Sequence, residues 1–223
     1  MTLILSTICK NGICICADKR NMKPNSVFQD NLYKIYSFKK IPLIIYNHGV
    51  NKFNNKMWDE YCSEYENLNK WIYYKAGGIC ENFRKFIEKN IEQELKRNFQ
   101  NNLPDGYRKS FFVFCGKTNR DPNPEIHELY WSYNSDGLRF RRTRQEKMVQ
   151  SGDGKKYLYE YLDKNKNINT NKYWEILDIT QAKKELEILF LEAVKNKKQL
   201  SGNEFSDSFD LECKNINQSY RVI

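Results

Sequence analysis

The sequence predicts an α+β fold in which antiparallel sheets pack on each other with helices outside. Three observations predict it. Short apolar runs separated by hairpin turns open the chain, the apolar spacing then switches to the helical period, and strands and helices repeat that order once more. The resulting series is four strands, two helices, several strands, two helices and closing strands. No internal repeat and no linker divides it, so residues 1–223 are expected to form a single domain.

Residues 3–9 read as the first strand and 13–18 as the second. Lys10-Asn11-Gly12 turns between them, because Asn-Gly tolerates the positive φ of a tight hairpin. The second strand is nearly continuous in apolar or small residues, the pattern of burial on both faces. Residues 21–30, with Pro24, read as a loop. Strands at 32–38 and 42–47 follow, joined by Lys39-Lys40. Phe53, Met57, Trp58, Tyr61, Tyr65 and Leu68 then take helical spacing. After Gly77-Gly78, the residues Ile79, Phe83, Phe86, Ile87, Ile91 and Leu95 mark a long amphipathic helix. Leu103-Pro104-Asp105-Gly106 ends it by turn chemistry.

Strands return at 110–116, 128–133 and 138–144, the last two joined by Asn134-Ser135-Asp136-Gly137. A short strand at 148–151 runs into Gly152-Asp153-Gly154, and a helix with Leu158, Tyr161 and Leu162 on one side follows. Residues 163–175, rich in Lys and Asn, read as a polar loop. Ala182, Leu186, Leu189, Phe190, Ala193 and Val194 define the last helix, ended by Ser201-Gly202-Asn203. Residues 208–213 and 219–223 read as closing strands.

Composition narrows the function classes. An apolar share of 40% with 13 Phe and 15 Tyr supports a packed core and argues against disorder. No apolar run reaches the roughly eighteen residues of a membrane span, and no basic segment followed by a long apolar one marks a secretory signal. The 7 cysteines are odd in number and form no C-x-x-C pair, so reduced thiols in a cytoplasmic protein are expected. With His48 and His127 the only histidines, no metal site is expected, and no cofactor is implied. The net charge of +9 attracts polyanions without specificity. One alternative reading is therefore a basic nucleic-acid-binding protein, built on Arg139, Phe140, Arg141, Arg142 and Arg144. Strand alternation sends Arg139 and Arg141 to one face and Arg142 and Arg144 to the other, which breaks up a phosphate-tracking stripe. Nucleic acid is thus not the expected partner, and neither is a membrane.

The chemistry concentrates in the first thirty-four residues. Removal of Met1 would leave Thr2 with a free α-amine and a hydroxyl on one residue. An α-amine has an ordinary pKa of about 7.7–8.0 and can act as the base that a weakly nucleophilic hydroxyl needs. Lys34 would lower the pKa of both groups, and Asp18 would hold that lysine charged and oriented. Backbone N–H donors must then stabilise the developing oxyanion.

Thr2, Asp18, Arg20 and Lys34, with a turn at Lys10-Asn11-Gly12, resemble the proteasome β-subunit family of N-terminal nucleophile hydrolases and its bacterial relatives. That family places a mature N-terminal Thr, an Asp ending the second strand, an Arg two residues on, and a Lys on the third strand. The resemblance implies a four-layer αββα sandwich of two antiparallel sheets flanked by helix pairs. It implies a threonine-type peptidase or amidohydrolase acting on peptides or unfolded proteins, a homo-oligomeric ring, and an ATPase partner. Ser151-Gly152-Asp153-Gly154 resembles the family's Gly-Ser-Gly turn, and Ser201-Gly202 its later Ser-Gly turn. The pocket would be lined from residues 20–22 and from Asn47-His48-Gly49.

Three positions depart from the family pattern. Its fourth strand ends in a small residue and a Gly that serve the oxyanion hole; here Asn47 takes that place, or Gly49 is displaced by two. Its assisting Ser falls on Asp153 in one register and on Ser151 in the other. An Asp commonly found three residues before the Ser-Gly turn is replaced by Lys198. These departures support a second alternative, a catalytically inactive structural subunit of the same fold.

Overall fold

The computed structural model describes residues 2–22, 28–68, 74–145 and 148–217. The first elements in chain order are β1 (Ile4–Cys9), β2 (Gly12–Asp18), β3 (Ile35–Ser37), β4 (Leu43–Gly49), α1 (Trp58–Asn67) and α2 (Ala76–Gln100). Then come β5 (Lys109–Gly116), β6 (Glu125–Asn134), β7 (Gly137–Gln145) and β8 (Met148–Ser151). The chain continues with α3 (Tyr159–Lys164), α4 (Asn171–Ile176), α5 (Ile179–Gln199) and β9 (Phe209–Asn215). The result is an α+β protein with two main sheets. Its contacts group into two compact units, Met1–Ile35 with Gln145–Ile223, and Tyr36–Arg144.

In the first unit the strand order is β8-β1-β2-β9. Each neighbouring pair is antiparallel. Leu3, Leu5, Cys14 and Cys16 turn one face of this sheet toward Ala182, Leu186, Leu189, Phe190 and Ala193 of α5. The opposite face, with Ile4, Ile13 and Ile15, is buried as well, as the continuous apolar run of β2 requires. Asp178 and Gln181 start α5 with a reciprocal capping box.

The turn between β1 and β2 corrects an expectation. Neither Asn11 nor Gly12 takes a positive φ. Asn11 instead accepts a hydrogen bond from Ile179 N at 2.9 Å, docking the turn on the start of α5. A Cβ at Gly12 would lie 2.2 Å from the Ile179 side chain, so glycine is required by close approach and not by dihedral freedom.

Residues 163–175 are not a polar loop. A 3₁₀ turn spans Lys166–Asn169 and α4 follows it. Two apolar residues explain the difference. Ile168 and Trp174 are buried, and the Trp174 indole donates to Ile168 O at 2.8 Å, anchoring the segment on the core. The expected closing strand at 208–213 is β9, and the one at 219–223 lies outside the described residues. Within the expected loop at 21–30, Asn21–Met22 pairs with Phe28–Gln29, while Pro24 lies outside the described residues.

In the second unit the order is β7-β6-β5-β4-β3. Phe112, Phe114, Leu129 and Trp131 of its sheet pack with α1 and α2 through Trp58, Tyr65, Phe83 and Ile87. The helix expected from Phe53 begins only at Trp58. Asn54 and Asn55, with φ of 48° and 64°, turn a small hairpin between Lys52–Phe53 and Lys56–Met57. Asn is among the few residues that enter the left-handed region at modest cost.

Strand β7 is an edge of this sheet. Its arginines face carboxylates or a histidine: Arg139 pairs with Asp136, Arg141 with Glu128 at 3.7 Å, and Arg144 with Glu125 at 3.1 Å. Arg142 approaches His127 Nδ1 at 3.5 Å. Charged side chains on a long edge strand discourage its pairing with another chain, which gives the basic run a role within the fold. Among the described residues, no helix is long and apolar enough to cross a membrane.

Candidate active site

Thr2 stands just before β1, and Asp18 ends β2. The antiparallel register sets Ile4 opposite Ala17, and Asp18 N donates to Leu3 O at 3.0 Å. The hairpin therefore brings the start of one strand to the end of the next. Lys34 arrives from the segment just before β3 and not from within a strand as expected, because β3 is confined to Ile35–Ser37.

The three side chains meet. Thr2 Oγ1 donates to Asp18 Oδ1 at 2.5 Å and accepts a hydrogen bond from Lys34 Nζ. Lys34 Nζ pairs with Asp18 Oδ1 at 2.7 Å. Thr2, Asp18 and Lys34 are 5%, 0% and 4% exposed, so each polar group depends on the others for what water would otherwise supply. Asp18 is further held by backbone donors. Leu3 N reaches Oδ1 at 2.8 Å, and Arg20 N and Ser206 N reach Oδ2 at 2.9 and 3.2 Å.

Removal from water lowers the pKa of Lys34 below that of a free lysine, and the Asp18 charge acts in the opposite direction. The unfolded chain thus keeps this proton to a higher pH than the folded one. The penalty for burying the ammonium is present below the folded pKa and is relieved as pH rises from there toward the ordinary lysine value of about 10.4. Lys19 and Lys164, each beside a carboxylate, shift the other way. Titration of ¹³C-labelled lysines by NMR should show Lys34 losing its proton first. A Lys34 that titrates with or after Lys19 would contradict this electrostatic picture.

The turn after β8 holds the other side of Thr2. Gly154 N donates to Thr2 O at 2.9 Å. Gly152 has φ +86°, and a Cβ there would fall 2.3 Å from both Thr2 Cγ2 and Thr2 O. Glycine is thus needed here for both dihedral and space. Ser151 is buried opposite Ile4, whereas Asp153 is exposed. Both glycines of this turn contact Thr2.

The Ser201-Gly202 turn is placed differently from expectation. Ser201 is exposed with φ 53°, and Gly202 packs by Tyr157 and Glu204. The serine that reaches Asp18 is Ser206. Its loop is fastened at several points. Lys197 Nζ donates to Phe205 O at 2.7 Å and also pairs with Asp207, and Lys198 meets Asp207 at 2.8 Å. Arg20 NH1 donates to Asn203 O at 3.0 Å while its guanidinium takes Asp30 in two 2.7 Å hydrogen bonds. Arg20 and Ser206 also line a cleft of about 420 Å³ with Asp30, Lys197, Asn203 and Asp207. Sequence reasoning missed Ser206 and Asp30; the one available signal was Phe205, an aromatic in a polar run that buries itself and pins the loop.

Asn47, His48 and Gly49 belong to the second unit. The Asn47 amide donates to Phe111 O at 2.9 Å and His48 stacks on Phe111 with centroids 4.1 Å apart. Gly49 has φ +84°, and a Cβ there would lie 2.5 Å from Lys109 O. All of these partners lie in the same unit. Of the residues expected to line the pocket, the Asn21 and Met22 side chains lie outside the described ones. Among the described residues, no cluster of His, Cys, Asp and Glu is suited to a metal ion.

The fold is similar to that of Anbu. The structure of Anbu (ancestral beta-subunit) from Yersinia bercovieri matches with a TM-score of 0.61 at 10% identity, over 95% of this chain and 80% of that one. The helical assembly of the Anbu complex from Pseudomonas aeruginosa matches with a TM-score of 0.58 at 13% identity, over 96% and 81%. No family model matches the sequence, and no curated protein matches it. At these identities the similarity is one of fold. It also corrects the resemblance read from the N-terminal residues, since these two structures are of Anbu (ancestral beta-subunit), a proteasome-like relative, and the fold points to Anbu and not to a conventional N-terminal nucleophile hydrolase.

Proposed function

We propose that this chain is a threonine-type peptidase or amidohydrolase whose nucleophile is the Thr2 hydroxyl, freed by removal of Met1. The observation that carries the reading is the buried contact of Thr2 Oγ1 with both Lys34 Nζ and Asp18 Oδ1. An ordinary strand end would not place a hydroxyl, an ammonium and a carboxylate together out of water, since each would cost free energy there without a use.

In the proposed reaction Thr2 Oγ1 attacks the carbonyl carbon of an amide. Its proton passes to the Thr2 α-amine, directly or through a water. Lys34 stabilises the charge that grows on the oxygen, and Asp18 holds Lys34 in place. The tetrahedral intermediate collapses, the leaving amine takes the proton, and an ester on Thr2 remains. Water, deprotonated by the same α-amine, then releases the acid and restores the hydroxyl.

Peptides or unfolded proteins are the proposed substrates. The proposal includes self-assembly, supported by the similarity in fold to an Anbu that forms a helical assembly. An ATPase partner belongs to the same reading. So do a single domain and a four-layer αββα arrangement, supported by the match of fold over 95% of the chain.

The test is made at the N-terminus. Intact mass should show a chain lighter by one methionine residue, and a peptide electrophile that traps an N-terminal Thr should leave its adduct on Thr2. Retention of Met1 would point instead to the non-catalytic subunit, and a processed chain that takes no adduct would defeat the proposal.

A further inference from the structure

Four of the seven free cysteines, Cys9, Cys14, Cys16 and Cys213, share one face of the sheet in the first unit, and three of them adjoin across strands. Cys14 of β2 stands directly opposite Cys213 of β9. On its other side Cys14 opposes Thr7 of β1, which sets Cys9 diagonally beside it on the same face. Cys14 Sγ donates to Ile179 O at 3.9 Å, and the Cys213 and Cys9 thiols beside it raise its pKa. Cys9 and Cys14 are buried, whereas Cys213 is partly exposed. None of these thiols has a part in the chemistry proposed for Thr2.

We propose that Cys14 and Cys213 form a reversible dithiol–disulfide site. Directly opposed residues of an antiparallel pair have Cα atoms about 4.5 or 5.5 Å apart. Disulfides accept Cα separations of roughly 4.4–6.8 Å. The two cysteines can therefore be joined in the register that β2 and β9 already have. A third thiol adjoining the pair separates this arrangement from two core cysteines that are neighbours by composition alone.

The co-reactant is a small disulfide such as oxidised glutathione. Cys213, the exposed member, loses its proton and its sulfur attacks one sulfur of that disulfide. The external S–S bond breaks and one small thiol leaves with the proton. Cys14 then attacks the Cys213 sulfur of the mixed disulfide, and the second small thiol leaves with the proton from Cys14. Two protein thiols are oxidised and one external disulfide is reduced to two thiols. The Cys213 and Cys9 thiols and burial push the Cys14 pKa up, so Cys14 stays protonated until it reacts.

The product would fasten β9 to the strand that ends in Asp18. The test uses the full chain under native conditions. It is incubated with oxidised glutathione, then unfolded without reductant so that every remaining thiol can be alkylated, and digested without reduction for peptide mapping. The expected result is a cross-linked pair of peptides carrying Cys14 and Cys213, loss of alkylation at these two positions alone, and full recovery after dithiothreitol. The Cys213→Ser variant should leave Cys14 alkylated. Continued alkylation of both residues in the unmodified chain, glutathione retained on Cys213 without resolution, or a cross-link from Cys14 to Cys9 would each overturn the proposal.

Discussion

Replacement of Thr2 by Ala is expected to lower peptide turnover by at least about 10⁴-fold, the scale on which an acyl-transfer enzyme depends on its nucleophile. The substitution removes the hydroxyl and the γ-methyl group. Asp18 keeps Lys34 Nζ at 2.7 Å and the N–H groups of Leu3, Arg20 and Ser206. The buried ion pair therefore survives, and the stability lost should be near that of one hydrogen bond and one buried methyl group, about 2 kcal/mol. This separation makes the experiment informative. Hydrolysis of a fluorogenic peptide should vanish while the urea midpoint moves modestly. Thr2→Ser, which keeps the oxygen and loses the methyl group, should retain a measurable share of the rate. Undiminished hydrolysis by the alanine variant would place the nucleophile elsewhere.

Replacement of Asp18 by Ala should act on fold and rate together. Asp18 and Lys34 are almost wholly inaccessible to solvent, so removal of the carboxylate leaves an ammonium buried without its counter-charge. Breaking a buried pair from one side typically costs about 3–5 kcal/mol. Leu3 N, Arg20 N and Ser206 N lose their acceptor in the same step. Urea unfolding should show a large fall in midpoint with an unchanged slope. Glu160→Ala gives the contrast, because it removes a solvent-exposed pair with Lys164 that water and salt screen, so the midpoint should stay near that of the unmodified chain. Asp18→Asn separates charge from shape, since it preserves volume and some acceptors while removing the counter-charge. A cost below about 1 kcal/mol for Asp18→Ala would show that Lys34 does not depend on this partner.

Much of this centre was legible because its side chains sit at the ends of strands. Apolar runs delimit β1 and β2, and the Asn11-Gly12 turn fixes how they pair, so Thr2 and Asp18 converge by register. The long helices α2 and α5 were equally plain, because their buried residues repeat with helical spacing. What escaped was carried by groups common to every residue. Ser206 serves Asp18 through its backbone N–H, which no side-chain pattern announces. The helical turn at Trp174 was masked by surrounding Lys and Asn, although one indole and Ile168 suffice to hold it. Gly12 is a glycine because Ile179 lies against it, a reason that emerges only when distant segments meet.

The glycine turn beside Thr2 bears on how such a centre would mature. Gly154 grips the carbonyl of Thr2, Gly152 crowds its carbonyl and methyl group, and Asp18 and Lys34 take its hydroxyl. None of these holds involves the nitrogen. Cutting the bond on the amino side would accordingly switch on a base without moving the oxygen that uses it. Maturation of this kind would need no refolding: the mould would be cast before the cut, and processing would add only a charge state at the Thr2 nitrogen.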